Sequence, residues 1–372
     1  MGDQYTEEQD ELRSLVRRFM QERSASGAVR ALIDEGGACG DPAVWRQTAQ
    51  ELGLTAIPIP EEYGGAGYGA VELGIVLEEM GRALFVSPYF ATIALAAQTL
   101  LASRDEAAKQ RWLPAIAEGA TRATLAFAEQ SGRWTVEDVA TTARPDGDAW
   151  VLDGTKWFVL DGCSAELILV VARTDAGVGL FAVEADAAGL SRESLEGLDL
   201  TRELARLELD GTPAVAIGDG GDAGEWLEEG LVAIYAAAAA EQIGGAARCL
   251  EMATDYAKTR VQFERPIGSF QAVKHKCAQM LVDVESGRSA AAYASAAVAQ
   301  GAPDAPEAAS VAKAYCSTAF TNAAKENIQI HGGIGYTWEH DAHLYLRRAK
   351  SMELLLGTPA EHRARLAQLI GV

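Results

Sequence analysis

The chain has 372 residues, 49% of them apolar, and a formal net charge of −21. That length allows two or three domains with sizeable cores, and that apolar content excludes a disordered chain. The charge excludes nucleic-acid or anionic-membrane binding through a general basic surface, though not a local basic pocket for an anionic ligand.

The five cysteines (Cys39, Cys163, Cys249, Cys277, Cys316) are scattered and odd in number, which points to reduced thiols in a cytoplasmic compartment. The start, MGDQYTEEQDELRSL, is acidic and has no apolar centre, so it does not read as a signal peptide. Met1-Gly2 matches a myristoylation start, but the acidic helix after Thr6 favours a plain one. No run approaches the roughly 20 apolar residues of a membrane span.

Thr6 caps a first amphipathic helix with acidic residues in its first turn. Asp41 and Pro42 open a second, which Gly53 stops. Pro58, Pro60 and Gly64-Gly65 form a loop before a third helix. Two more follow, over ATIALAAQTLLAS and, capped by Asp105, DEAAKQRWLPAIAEG. From about Thr121 the segments become short and β-rich, with turns at Gly147 and Gly154, as expected of a small barrel or sandwich ending near Gly221. The acidic GDGGDAGEW links to four long helices with short loops, the pattern of an antiparallel bundle. The expected class is α+β: an N-terminal helical domain (1–120), a middle β-domain (121–221) and a C-terminal four-helix bundle (222–372).

Two stretches of that bundle carry chemistry. In RVQFERPIGSFQAVKH, Arg260 and Phe263 lie near the end of a long alanine-rich helix. Pro266 and Gly268 turn the chain, Ser269 caps the next helix, and Phe270 and Gln271 fall in its first turn. A guanidinium, a ring and an amide together suit an anionic, planar ligand. The second stretch, QIHGGIGY, offers bare backbone at Gly332, Gly333 and Gly335 for close approach to a pyrophosphate.

With the P-E-E-Y-G-G-x-G loop at 60–67, these motifs resemble the acyl-CoA dehydrogenase family in order and spacing over the whole chain. The resemblance implies that family's three-domain fold and an FAD held between subunits. It implies cofactor contacts from Arg260, Gln262, Phe263, Ile267, Phe270, Gln271, Gln329, Gly332, Gly333, Phe158 and Thr358. It also implies α,β-dehydrogenation of an acyl-CoA substrate. A carboxylate takes the α-proton, a hydride goes to the flavin, and electrons pass to electron-transfer flavoprotein.

The sequence departs from the pattern at the reacting centre. Alignment on Arg347–Lys350 and Gly357-Thr358 puts Leu356 where the catalytic glutamate belongs. Ile234 occupies the alternative base position. Glu241 lies two turns further on, roughly 10 Å along the axis. It sits in an alanine run where an ionisable group is poorly solvated, as a base or as a structural partner of a cation across the bundle. Ala128 replaces a hydroxyl that bonds the flavin. Phe158 and Leu160 replace a tryptophan and a threonine. Glu264 replaces a glycine beside a phosphate site. The cofactor-gripping parts remain and the reacting parts are eroded. Two readings follow: an acyl-CoA dehydrogenase with Glu241 as base, or a catalytically inert FAD-site subunit in a homo-oligomer or a heteromer. The pattern resembles divergent bacterial members, such as subunits of α2β2 enzymes acting on sterol side-chain thioesters. His340 and His343 are too few for a metal site. Arg347 and Lys350 suit either a CoA phosphate or a bundle salt bridge.

Overall fold

The computed structural model describes residues 5–36, 39–147, 149–221 and 223–372. Met1-Gly2 and Asp222 of the acidic linker lie outside the described residues. The N-terminal helices are α1 (Glu7–Arg23), α2 (Ser26–Asp34), α3 (Pro42–Arg46), α4 (Ala70–Arg82), α5 (Gln98–Ala102) and α6 (Glu106–Ala117). The caps act as the sequence suggests. Thr6 forms a capping box with Gln9, and Asp41 and Asp105 accept from Ala43 N (2.7 Å) and Ala108 N (3.0 Å). α2 is an additional helix, absent from the sequence reading, and Val29 is its one fully buried residue. The apolar segment before α5 is π-helical over Phe90–Ala97.

The middle strands are β1 (Ala123–Ala126), β2 (Thr142–Asp146), β3 (Ala149–Leu160), β4 (Leu167–Thr174), β5 (Gly177–Glu184), β6 (Leu190–Leu195) and β7 (Leu204–Ile217). Pairing runs β4–β2–β3–β7–β5 and returns from β5 to β4, so five strands close a ring. β1 adds beside β4 and β6 beside β7. Closure leaves no free edge on the ring strands. Leu152, Ile168, Val170, Phe181, Val183 and Leu207 fill its interior.

The C-terminal helices are α7 (Gly224–Thr259), α8 (Gln271–Ala299), α9 (Ala305–His331), α10 (Ala342–Leu354) and α11 (Pro359–Leu369). A short hairpin, β8 (Val261–Gln262) and β9 (Arg265–Pro266), joins α7 to α8. Three helices are long; α10 and α11 share the place of the fourth. α7 is the central element. Its small residues let neighbours approach closely: a Cβ on Gly244 would sit 1.9 Å from Glu78 O of α4, and one on Gly245 2.3 Å from the Phe320 ring of α9. Among the described residues α7 is also the one helix long and apolar enough to cross a membrane, against the composition-based expectation. However, 94% of its most apolar window is buried, as befits a core helix.

Candidate functional site

α7 stops at Thr259 because Arg260 takes an extended conformation. Val261 then pairs with Pro266 and Gln262 with Arg265, which makes Phe263-Glu264 the two-residue turn. The turn is therefore not at Pro266 and Gly268, as the sequence suggested. A tight hairpin turn needs left-handed backbone at both central residues, normally supplied by Asn-Gly. Here Phe263 (φ 52°) and Glu264 (φ 64°) adopt it without a glycine, at a cost of order 1–2 kcal/mol each. Gly268 serves packing instead, since a Cβ there would meet Ala257 O at 2.8 Å. Ser269 does not cap α8. It ends a 3-10 turn over Ile267–Ser269, Phe270 is the N-cap, and the helix begins at Gln271.

The hairpin presents its side chains outward. Phe263 is 86% exposed, edge-on to Phe270 at 6.1 Å, and the Arg265 guanidinium lies 4.1 Å above the Phe270 ring. Ile267 N donates to Arg260 O (2.8 Å), which pins the two ends of the loop together. Arg260, Gln262 and Gln271 are exposed.

The glycine loop lies at the same end of the bundle. One turn before Arg260, Tyr256 stacks on His331 (4.3 Å), and Gly332 follows His331. Gly332 (φ 62°) terminates α9. A Cβ on Gly332 or Gly333 would meet nothing within 4 Å, so this backbone is open to a ligand, whereas Gly335 packs on Ile328 O. Gln329 is exposed beside them.

The middle domain offers less. Phe158 (φ 56°) is half-exposed, next to Gly132. Ala128 and Leu160 are buried, and Trp134 stacks on Phe127 at 5.2 Å. Beneath them Lys156 is buried and donates to Phe127 O (3.0 Å) and Glu129 (2.9 Å); burial pulls its ammonium down to about 8.

Leu356 sits in the break between α10 and α11, left-handed (φ 65°) and 1% exposed. Ile234 is fully buried. Both belong to one continuous apolar core with Phe90, Ala128, Trp134 and Leu160. Polar groups hold only the backbone of the break. Lys313 of α9 donates to Met352 O and Gly357 O (3.1 Å each), Gln242 to Met352 O (2.9 Å), and His362 Nε2 lies 2.8 Å from Leu356 O. Burial pulls Lys313 down to about 7 and His362 to about 4. The Thr358 hydroxyl is engaged in a capping box with Glu361. Glu353 bonds Thr321 (3.2 Å) and Lys350, and Arg347 donates to Leu198 O (3.1 Å).

Glu241 is 4% exposed and bonded by two arginines. Arg348 of α10 donates to its Oε1 at 2.6 Å, and Arg202, from the loop before β7, donates to both oxygens. Arg348 also binds Asp199 (2.7 Å) and Thr201, and Arg202 lies over the Phe90 ring (4.6 Å). Two cations and two carboxylates thus tie the middle domain to the bundle. Arg202, Arg348 and Asp199 escaped the sequence reading, because single charges in a charged chain carry no periodic signal.

Family models for the acyl-CoA dehydrogenase N-terminal, middle and C-terminal domains match residues 6–120, 124–211 and 229–371. The chain belongs to the acyl-CoA dehydrogenase family. It is 37% identical over 364 residues to acyl-CoA dehydrogenase IpdE2 of Mycobacterium tuberculosis, covering 97% of this chain and 96% of that one. A solved chain of the Tcur3481–Tcur3483 steroid ACAD superposes with a TM-score of 0.89 at 35% identity, covering 98% of both. A chain of the Mycobacterium tuberculosis ChsE4–ChsE5 complex does so with a TM-score of 0.88 at 29% identity, covering 99% and 98%.

Acyl-CoA dehydrogenases are FAD-dependent flavoproteins. Residues toward that cofactor divide sharply in this member of the family. The bundle edge fits it, with open glycine backbone and exposed arginine, amide and aromatic groups. The middle domain fits only through Phe158, since Ala128 and Leu160 have no side-chain donor to offer.

Proposed function

We propose that this acyl-CoA dehydrogenase chain is the clamping, non-catalytic subunit of a heteromeric enzyme for α,β-dehydrogenation of an acyl-CoA thioester. Its bundle edge grips the FAD bound mainly by a paralogous partner, and the partner supplies the base. FAD, when bound, supplies hydride acceptance. Arg260 and Gln271 would hold its anionic and polar parts, Phe263 and Phe270 its planar part, and the Gly332-Gly333 backbone its pyrophosphate. Thr358 and Ile267 support the backbone of the site and not the cofactor itself.

The observation that carries this reading is Glu241. Both its oxygens are held by buried guanidinium groups, while Leu356 and Ile234 are sealed in apolar core. A proton acceptor must be free to reach its proton; breaking this ion pair would instead strand two buried cations. The Tcur3481–Tcur3483 and ChsE4–ChsE5 names each join two components, which supports assembly with a paralogue. Electron-transfer flavoprotein as the acceptor and a cytoplasmic setting complete the proposal.

The test is the flavin content of the assembled heteromer. Arg260→Ala in this chain lowers FAD retention while the two subunits still co-elute. Retention unchanged by Arg260→Ala and by Phe263→Ala contradicts the clamp.

A further inference from the structure

α2 places Val29 in the core and packs Leu32 and Ile33 against it, yet space remains on both of its sides. A cavity of about 320 Å³ opens between it, α1, the end of α4, α7 and α10. A second, of about 230 Å³, lies against its other side, and the two share Ser24 and Val29. The helix is held from outside, by Arg30 bonded to Asp341 (2.8 Å) and to Trp338 O. α2 therefore bridges a crevice and does not seal it.

The larger cavity has two kinds of wall. Met20, Val29, Met252 and Leu344 give apolar surface. Arg17, Arg82 and Arg248 line it with two carboxylates, Glu79 and Asp341, and a third carboxylate, Glu251, pairs with Arg82 and Arg248 from outside the lining. The arginines are unequally satisfied. Arg17 holds Glu79 through two nitrogens (2.8 and 2.7 Å), and Arg82 holds Glu251 through two. Arg248 donates to Glu251 Oε2 (3.2 Å), the oxygen Arg82 already uses, and has the Tyr345 hydroxyl as a second neighbour. One carboxylate thus serves two guanidinium groups, and Arg248 keeps donors to spare.

We propose that this cavity is a second ligand site, separate from the cofactor edge, which takes a monocarboxylate with an aliphatic body. The carboxylate pairs with Arg248, and the chain lies along Met20, Val29, Met252 and Leu344. The volume is at the small end of ligand pockets, which run from about 300 to 1,000 Å³, and suits a medium-length chain. The inference is independent of the half-site proposal, because it uses none of those residues.

Titration calorimetry of the full chain with octanoate, and with 1-octanol as the neutral control, decides it. One saturable octanoate site is expected, with octanol at least about tenfold weaker, the order of one charge-assisted hydrogen bond. Arg248→Gln reduces octanoate to the octanol level. Met252→Trp, which fills the apolar end, weakens both. Arg248 is partly exposed, so its substitution leaves the fold intact. No saturable octanoate binding, or binding that neither substitution alters, overturns the proposal.

Discussion

The two ends of the bundle have gone opposite ways. At the hairpin end, side chains point outward and the backbone is open, with Phe263 86% exposed and nothing near Gly332 or Gly333. At the α10–α11 break, Leu356, Ile234 and Phe90 are packed shut, and Glu241 is locked between two arginines. Phe263, exposed on left-handed backbone, costs stability in a free chain; Leu356 carries the same backbone strain but offsets it by burying its side chain. The first arrangement persists where something else covers it, and the second where no substrate needs to enter. A subunit that clamps a cofactor without performing the chemistry accounts for both.

The largest effect expected is at the closed end. Glu241→Gln leaves Arg202 and Arg348 buried with too little countercharge, a loss of about 3–5 kcal/mol, read by urea unfolding of the chain. A true base would show the reverse, activity lost with stability kept. At the open end, Arg260→Ala weakens FAD binding in the assembly by about ten- to a hundredfold, since bonds to charged groups contribute roughly 1.5–3 kcal/mol. Flavin fluorescence of the dialysed complex measures it. Glu264→Gly relieves one strained turn residue and raises stability by about 1 kcal/mol. A fall instead would show that the Glu264 side chain is held in the free chain.

A further test sharpens the middle-domain side of the contrast. Burial, reinforced by Glu203, pushes the Asp161 carboxyl up to about 7. The folded state therefore binds this proton where the unfolded chain, near 3.9, has released it. Its contribution is fully present below about pH 4 and is lost as pH rises to about 7. Asp161→Asn flattens that part of the stability–pH curve. An unchanged slope would show that Asp161 is solvated.

Much of this was legible in the sequence. Caps at Thr6, Asp41 and Asp105 announce helices because an oxygen there satisfies free backbone N–H groups whatever the tertiary context. The motifs from Arg260 to Gln271 and from Gln329 to Tyr336 located the open edge, and Leu356 announced the closed one. The sequence points to a turn at Pro266 because a Phe-Glu pair carries no turn signature, and only the pairing of Val261 with Pro266 reveals the hairpin. Glu241 remained open between base and structural partner. Its ligands lie 39 residues before it and 107 after it, and no local pattern connects them.

The most direct measurement is an anaerobic titration of the purified chain, reconstituted with FAD, against a panel of acyl-CoA thioesters, followed by the same titration after adding its paralogous partner. The account predicts no bleaching of the flavin band by the chain alone and bleaching once the partner is present. Bleaching by the chain alone, abolished by Glu241→Gln without loss of stability, would contradict it and make Glu241 the base.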